Sequence, residues 1–595
     1  MTAQETEATD PHAEVAPGVE VDLTLSRRIG LDWFHLGLLL VLLLAVVLRA
    51  WGIEQGLPFI YNPDERVHFV PRAVRFFTEG YNPHYFVNPP AFTYFVHLIL
   101  AVWYRGGNRA IEAFTSNPSQ VFLIARLAAA ALGVMSVWLL YLTGSRMWDR
   151  GVGLLAAGMM AVAFLPVSYS HQALNDAPTL VPVALSLFGT AGVLRRGRLL
   201  DYLVAGVGLG LGTATKYPAA IVVLPLLGAT VADIRSKRRW KGPFAGLALA
   251  TAAAVAAFVA ANPYSILDHK AFLTDVNSIS FGYATGGADR LGQAQQNGIL
   301  YYLWTLTWGL GWVPSAAALG GAVLLLKDDP RKVAILVPAP ILFVWYMGSQ
   351  GRYFGRWIMP ILPVLILLAA YAVSWLLSHL APMAGRLAPA AASVIVATLL
   401  AQGLVTSVHA DVVLTRADTR ALARRWIFQH VPSQSLMVVE PIYLLLKPTG
   451  EDPGGVHRQS GRLLRWTFVD VRTAVIRARL MDRKEALPQT GSVHFERLLR
   501  PGLIDLYERE AVCWVVTGNS EWGRTFATPR EVPEAIAYYR KLRRRAVVSY
   551  HVSPYGLGKE PEPFNFDWST EYYPLGYVRP GPEITVYHLT GGRCG

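Results

Sequence analysis

The sequence predicts a polytopic α-helical membrane protein with an α/β domain at its C-terminal end, outside the cytoplasm. Three observations predict it. Of 595 residues, 53% are hydrophobic and only 16% charged, against about 25% charged in an ordinary soluble protein. The apolar residues gather into runs of membrane-spanning length, which stop near residue 408. The cations between those runs fit one orientation of the chain.

Residues 1–30 are polar, acidic up to Glu20 and poor in large apolar side chains, so a disordered cytoplasmic tail is expected. The first apolar run is too long for the core of a signal peptide and is expected to stay as a span. A span takes roughly 20 mostly apolar residues. Eleven candidates read as 31–52, 120–143, 152–170, 177–194, 202–215, 217–233, 243–261, 303–326, 333–348, 357–379 and 389–408, which make a transmembrane module over 31–408. The fifth and sixth share one apolar stretch, interrupted by Thr213, Thr215, Lys216 and Pro218.

With the N-terminus inside, the inner loops collect clusters such as Arg195, Arg196 and Arg198, or Arg235, Lys237, Arg238, Arg239 and Lys241. Beyond the long first one, 53–119, the outer loops carry only Lys216, Lys270, Arg290, Arg352 and Arg356. Merging the fifth and sixth spans would reverse every later loop and put the cations on the wrong side. A multi-pass cell-membrane protein with a cytoplasmic N-terminus is therefore expected.

Residues 410–595 follow on the outer side. Helices are expected at 421–431 and 533–544, and strands at 435–440, 511–517, 547–552 and 583–589. Short apolar strands alternating with amphipathic helices suggest a small α/β unit. No inverted repeat of the transporter kind is visible.

The net charge is +13 and the pI about 9.6. In a membrane protein this balance reflects cationic inner loops, and no basic module interleaved with aromatics points to nucleic acid. Cys513 and Cys594 offer neither zinc spacing nor a disulfide framework. A single bridge between them is open only to a segment outside the cytoplasm, and free thiols are the expectation.

The first outer loop, 53–119, opens with Tyr61-Asn62-Pro63-Asp64-Glu65. Val67, Val70, Val74 and Phe77 then recur at helical spacing, as in an interfacial amphipathic helix. A helix start explains the acid pair equally well, with Asn62 as cap and Pro63 at the first position. Asp176, in Asn175-Asp176-Ala177-Pro178, is open to the same explanation. Lys216 at this depth needs a partner or must snorkel. Arg352 and Tyr353 suit an interfacial anchor. Yet all of them fall on one predicted face. Acids, a lysine, an arginine and His84 gathered there form a candidate active centre. A carboxylate would deprotonate an acceptor hydroxyl, and Lys216 and Arg352 would meet a lipid phosphate leaving group. No Walker A motif is present, and no glycine fingerprint stands in a strand–helix context.

These residues resemble the lipid-carrier-dependent glycosyltransferases of the GT-C superfamily. The nearest groups are the protein O-mannosyltransferases and the enzymes that add aminoarabinose to lipid A. The likeness covers about residues 30–410. It rests on Asp64-Glu65, Pro83-His84, Phe86, Pro89-Pro90, Asp176 with Pro178, Thr215-Lys216-Tyr217 and Arg352-Tyr353, in that order. The resemblance implies a GT-C fold and a polyprenyl-phosphate-linked monosaccharide donor. It implies inversion at the anomeric carbon and an acceptor that is a lipid, a protein or a glycan. Asp64, then Glu65, would be the base, with Asp176 in support. His84, Asn88, Lys216, Tyr217, Arg352 and Tyr353 would bind substrate. Some members bind a divalent cation. Asn88 departs from the pattern, because lysine or histidine often stands there. The alternatives are a transporter or flippase of lipid-linked sugars, and a non-catalytic membrane scaffold with an outer binding domain. Transfer of a whole oligosaccharide also stays open.

Overall fold

The computed structural model describes residues 32–237, 241–285, 297–351, 353–432, 435–440, 442, 467–470, 495–559, 564–565 and 572–595. Arg352 and the 1–30 tail lie outside the described residues.

The chain is mainly helical up to residue 430. Its principal membrane helices are α1 (Trp33–Ala50), α2 (Pro118–Met147), α3 (Arg150–Val162) and α4 (Phe164–Ser170). They continue as α5 (Leu180–Arg195), α6 (Leu199–Thr215), α7 (Val223–Lys237), α8 (Lys241–Ala261), α9 (Trp312–Asp328), α10 (Leu362–Ala384) and α11 (Ala388–Leu414). Among the described residues, seven helical stretches are long and apolar enough to cross a membrane. An eighth forms if α3 and α4, bent by 55° at their junction, count as one span. The eleven expected runs all lie on helices. Two of them, α5 and α6, have only 16 and 17 residues.

Small residues set the packing around α6. A Cβ at Gly206 would lie 2.2 Å from the Ala250 carbonyl of α8, and one at Gly208 would lie 2.4 Å from the Ser186 amide of α5. Only glycine lets backbones approach so closely. This wedges α6 between its neighbours and fixes its C-terminal end. The helix stops there as Lys216 takes an extended conformation, and Pro218 has no N–H with which to continue the ladder to the Ala214 carbonyl.

Beyond α12 (Thr419–His430) the described residues build a five-stranded sheet. Its strands are β1 (Leu436–Val439), β2 (Thr467–Asp470), β3 (Trp514–Gly518), β4 (Ala546–Val552) and β5 (Ile584–Leu589), with α13 (Pro533–Arg545) between β3 and β4. The order is β2-β1-β3-β5-β4. The first three strands pair in parallel and the last three antiparallel. Strand β2 and the helices Gly502–Arg509 and Asn519–Ala527 were not among the expected elements. Cys513 and Cys594 form a disulfide with Cα atoms 5.3 Å apart, which corrects the expectation of free thiols. It joins the residue before β3 to the C-terminal turn.

This unit sits directly on the helices. The Tyr169 and Tyr572 hydroxyls are 3.2 Å apart, and His409 donates to the Pro574 carbonyl at 2.9 Å. Gln55 donates to Asp418, and Arg420 lies over the Tyr61 ring.

Candidate active site

The turn that bears Asp64 is built by Asn62. Its Oδ1 accepts from the Asp64 amide at 2.9 Å and from the Glu65 amide at 3.3 Å. Asn62 is therefore the cap, and the Asp64 side chain makes no capping bond. A π-helical turn follows over Glu65–Phe69. Its cause is local. Pro71 has no N–H for the Val67 carbonyl, which accepts from the Arg72 side chain at 3.3 Å instead. Such widened turns are frequent at functional sites.

The turn sends its two acids apart. Glu65 is fully buried. Arg126 grips it through Nε at 2.7 Å and Nη2 at 2.9 Å, and the Ala173 amide donates at 3.0 Å. Arg126 also donates to the Ile53 and Gln55 carbonyls, both at 2.8 Å. Glu65 thus locks the turn to α2 and to the segment after α1. Asp64 stays 31% exposed, and its Oδ2 accepts from Arg356 Nη2 at 2.8 Å.

Arg356 belongs to a short 3-10 helix, Gly355–Ile361. Its Nε lies 4.0 Å from Asp176 Oδ2. Asp176 is buried on the turn before α5, where Thr179 rather than Asp176 precedes the helix. Its Oδ1 pairs with Lys216 Nζ. The Asn175 side chain donates to the Thr215 carbonyl at 2.7 Å and ties that turn to the end of α6. The charges therefore alternate in one chain: Asp64, Arg356, Asp176, Lys216. Two carboxylates face two cations.

That balance bears on a metal. A divalent cation takes several oxygen or imidazole ligands. Here both acids are already matched by fixed cations, and among the described residues no group of three His, Cys, Asp or Glu side chains could hold a metal ion. The donor set does not fit a divalent cation.

The remaining expected residues that the structure describes have other partners. The Tyr217 hydroxyl donates to the Phe86 carbonyl at 2.8 Å. Asn88 donates to the Tyr85 hydroxyl at 3.3 Å. His84 is exposed, has a positive φ of 46° and faces Asp268 at 4.0 Å rather than the four-residue chain. Tyr353 is fully buried, its ring centroid 4.5 Å from that of Tyr301. Sequence reasoning missed Arg356 as a site residue and counted it only among outer-loop cations. It stands four residues after Arg352, and that recurrence in Arg-Tyr-Phe-Gly-Arg was the available signal.

Residues 110–261 match the family model described as dolichyl-phosphate-mannose-protein mannosyltransferase. The oligosaccharyltransferase of Archaeoglobus fulgidus in its apo form has a similar structure, with a TM-score of 0.52 at 12% identity, over 94% of this chain and 89% of that one. ArnT from Cupriavidus metallidurans bound to undecaprenyl phosphate gives a TM-score of 0.46 at 12% identity, over 93% of this chain and 98% of that one. No curated protein matches the chain in sequence. At such identities the archaeal likeness is one of fold. The chain has the GT-C fold that its ordered motifs imply.

Proposed function

We propose that this protein transfers a glycosyl unit from a polyprenyl phosphate to an acceptor hydroxyl on the outer face of the cell membrane. The observation that carries this reading is the chain Asp64, Arg356, Asp176, Lys216, in which Asp64 is the more accessible acid. The name of the family matched over 110–261 refers to a dolichyl-phosphate sugar, which supports a lipid-phosphate donor.

Asp64 acts as the general base. The acceptor oxygen attacks the anomeric carbon from the face opposite the phosphate. As the new C–O bond forms, the hydroxyl proton passes to Asp64. The old C–O bond breaks, and its electron pair leaves with the lipid phosphate. Lys216 and Arg356 meet the charge that develops there. Asp176 holds both cations in place. Asn88 and His84 in the first outer loop, with Tyr217 bonded to that loop at the Phe86 carbonyl, shape the donor's approach, and Tyr353 packs behind. Glu65 positions the turn and takes no proton. The attack inverts the anomeric centre.

The test is Asp64→Asn in the purified full-length protein, assayed with a panel of labelled polyprenyl-phosphate hexoses and pentoses. Transfer is expected to fall about 10²–10⁴-fold, the usual contribution of a general base. Activity within a few-fold of wild type removes Asp64 from this role. Mass spectrometry of envelope lipids, glycoproteins and glycans, with and without the gene, identifies the acceptor and the number of sugars moved.

A further inference from the structure

One group faces Asp64 and has no part in the steps above. His68 lies on the π turn, and its Nε2 is 3.9 Å from Asp64 Oδ1. Arg356 Nη2 binds the other carboxylate oxygen, Oδ2. The other ring nitrogen, Nδ1, is 2.8 Å from Arg72 Nη1. A guanidinium only donates, so Nδ1 must accept. Neutral His68 therefore carries its proton on Nε2, pointing toward Asp64.

The ring is held in that pose. It stacks on Tyr85, with centroids 4.6 Å apart and planes 5° apart. Arg72 lies over the same tyrosine ring at 4.0 Å. Asp64, Arg72 and Tyr85 are the charged and titratable groups against His68. Burial and the Arg72 charge hold the imidazole below its ordinary value, against the pull of Asp64. With Nδ1 accepting from Arg72, the geometry also favours the neutral ring.

A separation of 3.9 Å is too long for a direct hydrogen bond and suits one intervening oxygen. An atom roughly 2.8 Å from both groups would see them at about 90° across that 3.9 Å gap. We propose that the acceptor hydroxyl occupies this gap, accepting from His68 Nε2–H and donating to Asp64 Oδ1. A hydroxyl supplies both a lone pair and a proton. An ammonium has no lone pair, and an amide nitrogen has none to spare. His68 thus selects hydroxyl acceptors over amide acceptors and aims the oxygen lone pair. In the transfer step the hydroxyl proton moves to Asp64, while His68 keeps its own.

This inference rests on the proposed glycosyl transfer, and two experiments separate their failures. The first needs no activity. Nitrogen-15 histidine spectra of the full-length protein, with the His68 signal assigned by its loss in His68→Gln, should show the Nε2–H tautomer at pH 7. An Nδ1–H tautomer or an imidazolium overturns the proposal. The second measures transfer to serine and threonine peptides, methyl glycosides and phosphatidylglycerol vesicles, which distinguish a protein, glycan or lipid hydroxyl. His68→Phe keeps the ring stack but loses the N–H, and transfer should fall about tenfold or more, through a raised acceptor KM and a lowered kcat. His68→Gln restores an N–H donor and should recover most of that loss. Equal loss in both variants, no loss in either, or preference for an asparagine peptide overturns the proposal. If wild type transfers sugar to no acceptor, the glycosyl-transfer reading itself fails, while the spectra still report on the tautomer.

Discussion

Glu65 accepts two hydrogen bonds from Arg126 and one from the Ala173 amide in a site closed to water, whereas Asp64 stays partly exposed with Oδ2 accepting from Arg356. Substitution of the two neighbours should separate them. Glu65→Gln keeps the shape but leaves Arg126 buried without its counter-charge. Breaking such a buried pair removes about 3–5 kcal/mol. Thermal unfolding should show a clear fall in Tm for Glu65→Gln, and none of that size for Asp64→Asn. A Glu65→Gln protein of wild-type stability would end the locking role. Much of this distinction was not legible in the sequence. Capping accounted for both acids equally, and only the three-dimensional turn shows that Asn62 does the capping. That Asp64, Asp176 and Lys216 lie on one side was legible, because the alternation of spans and loops decides which segments share a face. Arg356 was not. Its value lies in reaching Asp64 across 292 positions, a separation that local pattern does not encode.

At the scale of elements, period and punctuation carried the reading. Helix α12 and strands β1, β3, β4 and β5 fall close to their expected positions, because each is a short apolar or amphipathic run bounded by turn residues. Strand β2 has four residues set in a charged stretch, too short for alternation to declare it. The sheet also hides a titratable group that hydropathy cannot reveal. Glu440, just after β1, is buried, accepting from the Tyr539 hydroxyl at 2.7 Å and the Gly518 amide at 2.9 Å. Burial raises its carboxyl well above the ordinary value of 4.5. The folded state therefore keeps a proton that the unfolded chain releases. The resulting stability is fully present below the ordinary value and is lost as pH rises through the raised folded value. Gln at this position imitates the protonated acid, donating to Tyr539 and accepting from Gly518. The Tm of wild type should fall as pH rises from about 4.5 toward the raised folded value, and that of Glu440→Gln should fall less. Parallel curves would show that Glu440 does not titrate in the folded protein.

Across the whole molecule, orientation links the loop charges, the outer-face site and the C-terminal unit. If the N-terminus is inside, the Asp64 turn, the end of α6 and the sheet all face outward together. The tight seat of the sheet on the helices, through Tyr169 with Tyr572 and His409 with Pro574, requires that they share a side. The Cys513–Cys594 bridge points the same way, since such bonds persist mainly in oxidising compartments. Only two cysteines exist in the chain, so each is its own reporter. Full-length protein from native membranes, denatured without reductant, should take up no alkylating reagent, and after reduction it should take up two equivalents. Trypsin added to spheroplasts should cut the Arg-rich α13 region, while inverted vesicles protect it. Free thiols together with cleavage in inverted vesicles alone would place the sheet and the Asp64 turn in the cytoplasm, where an outer-face transferase could not work. Oxidised cysteines with cleavage in spheroplasts would put the base, its cations and the sheet on the side where a translocated lipid-linked sugar arrives.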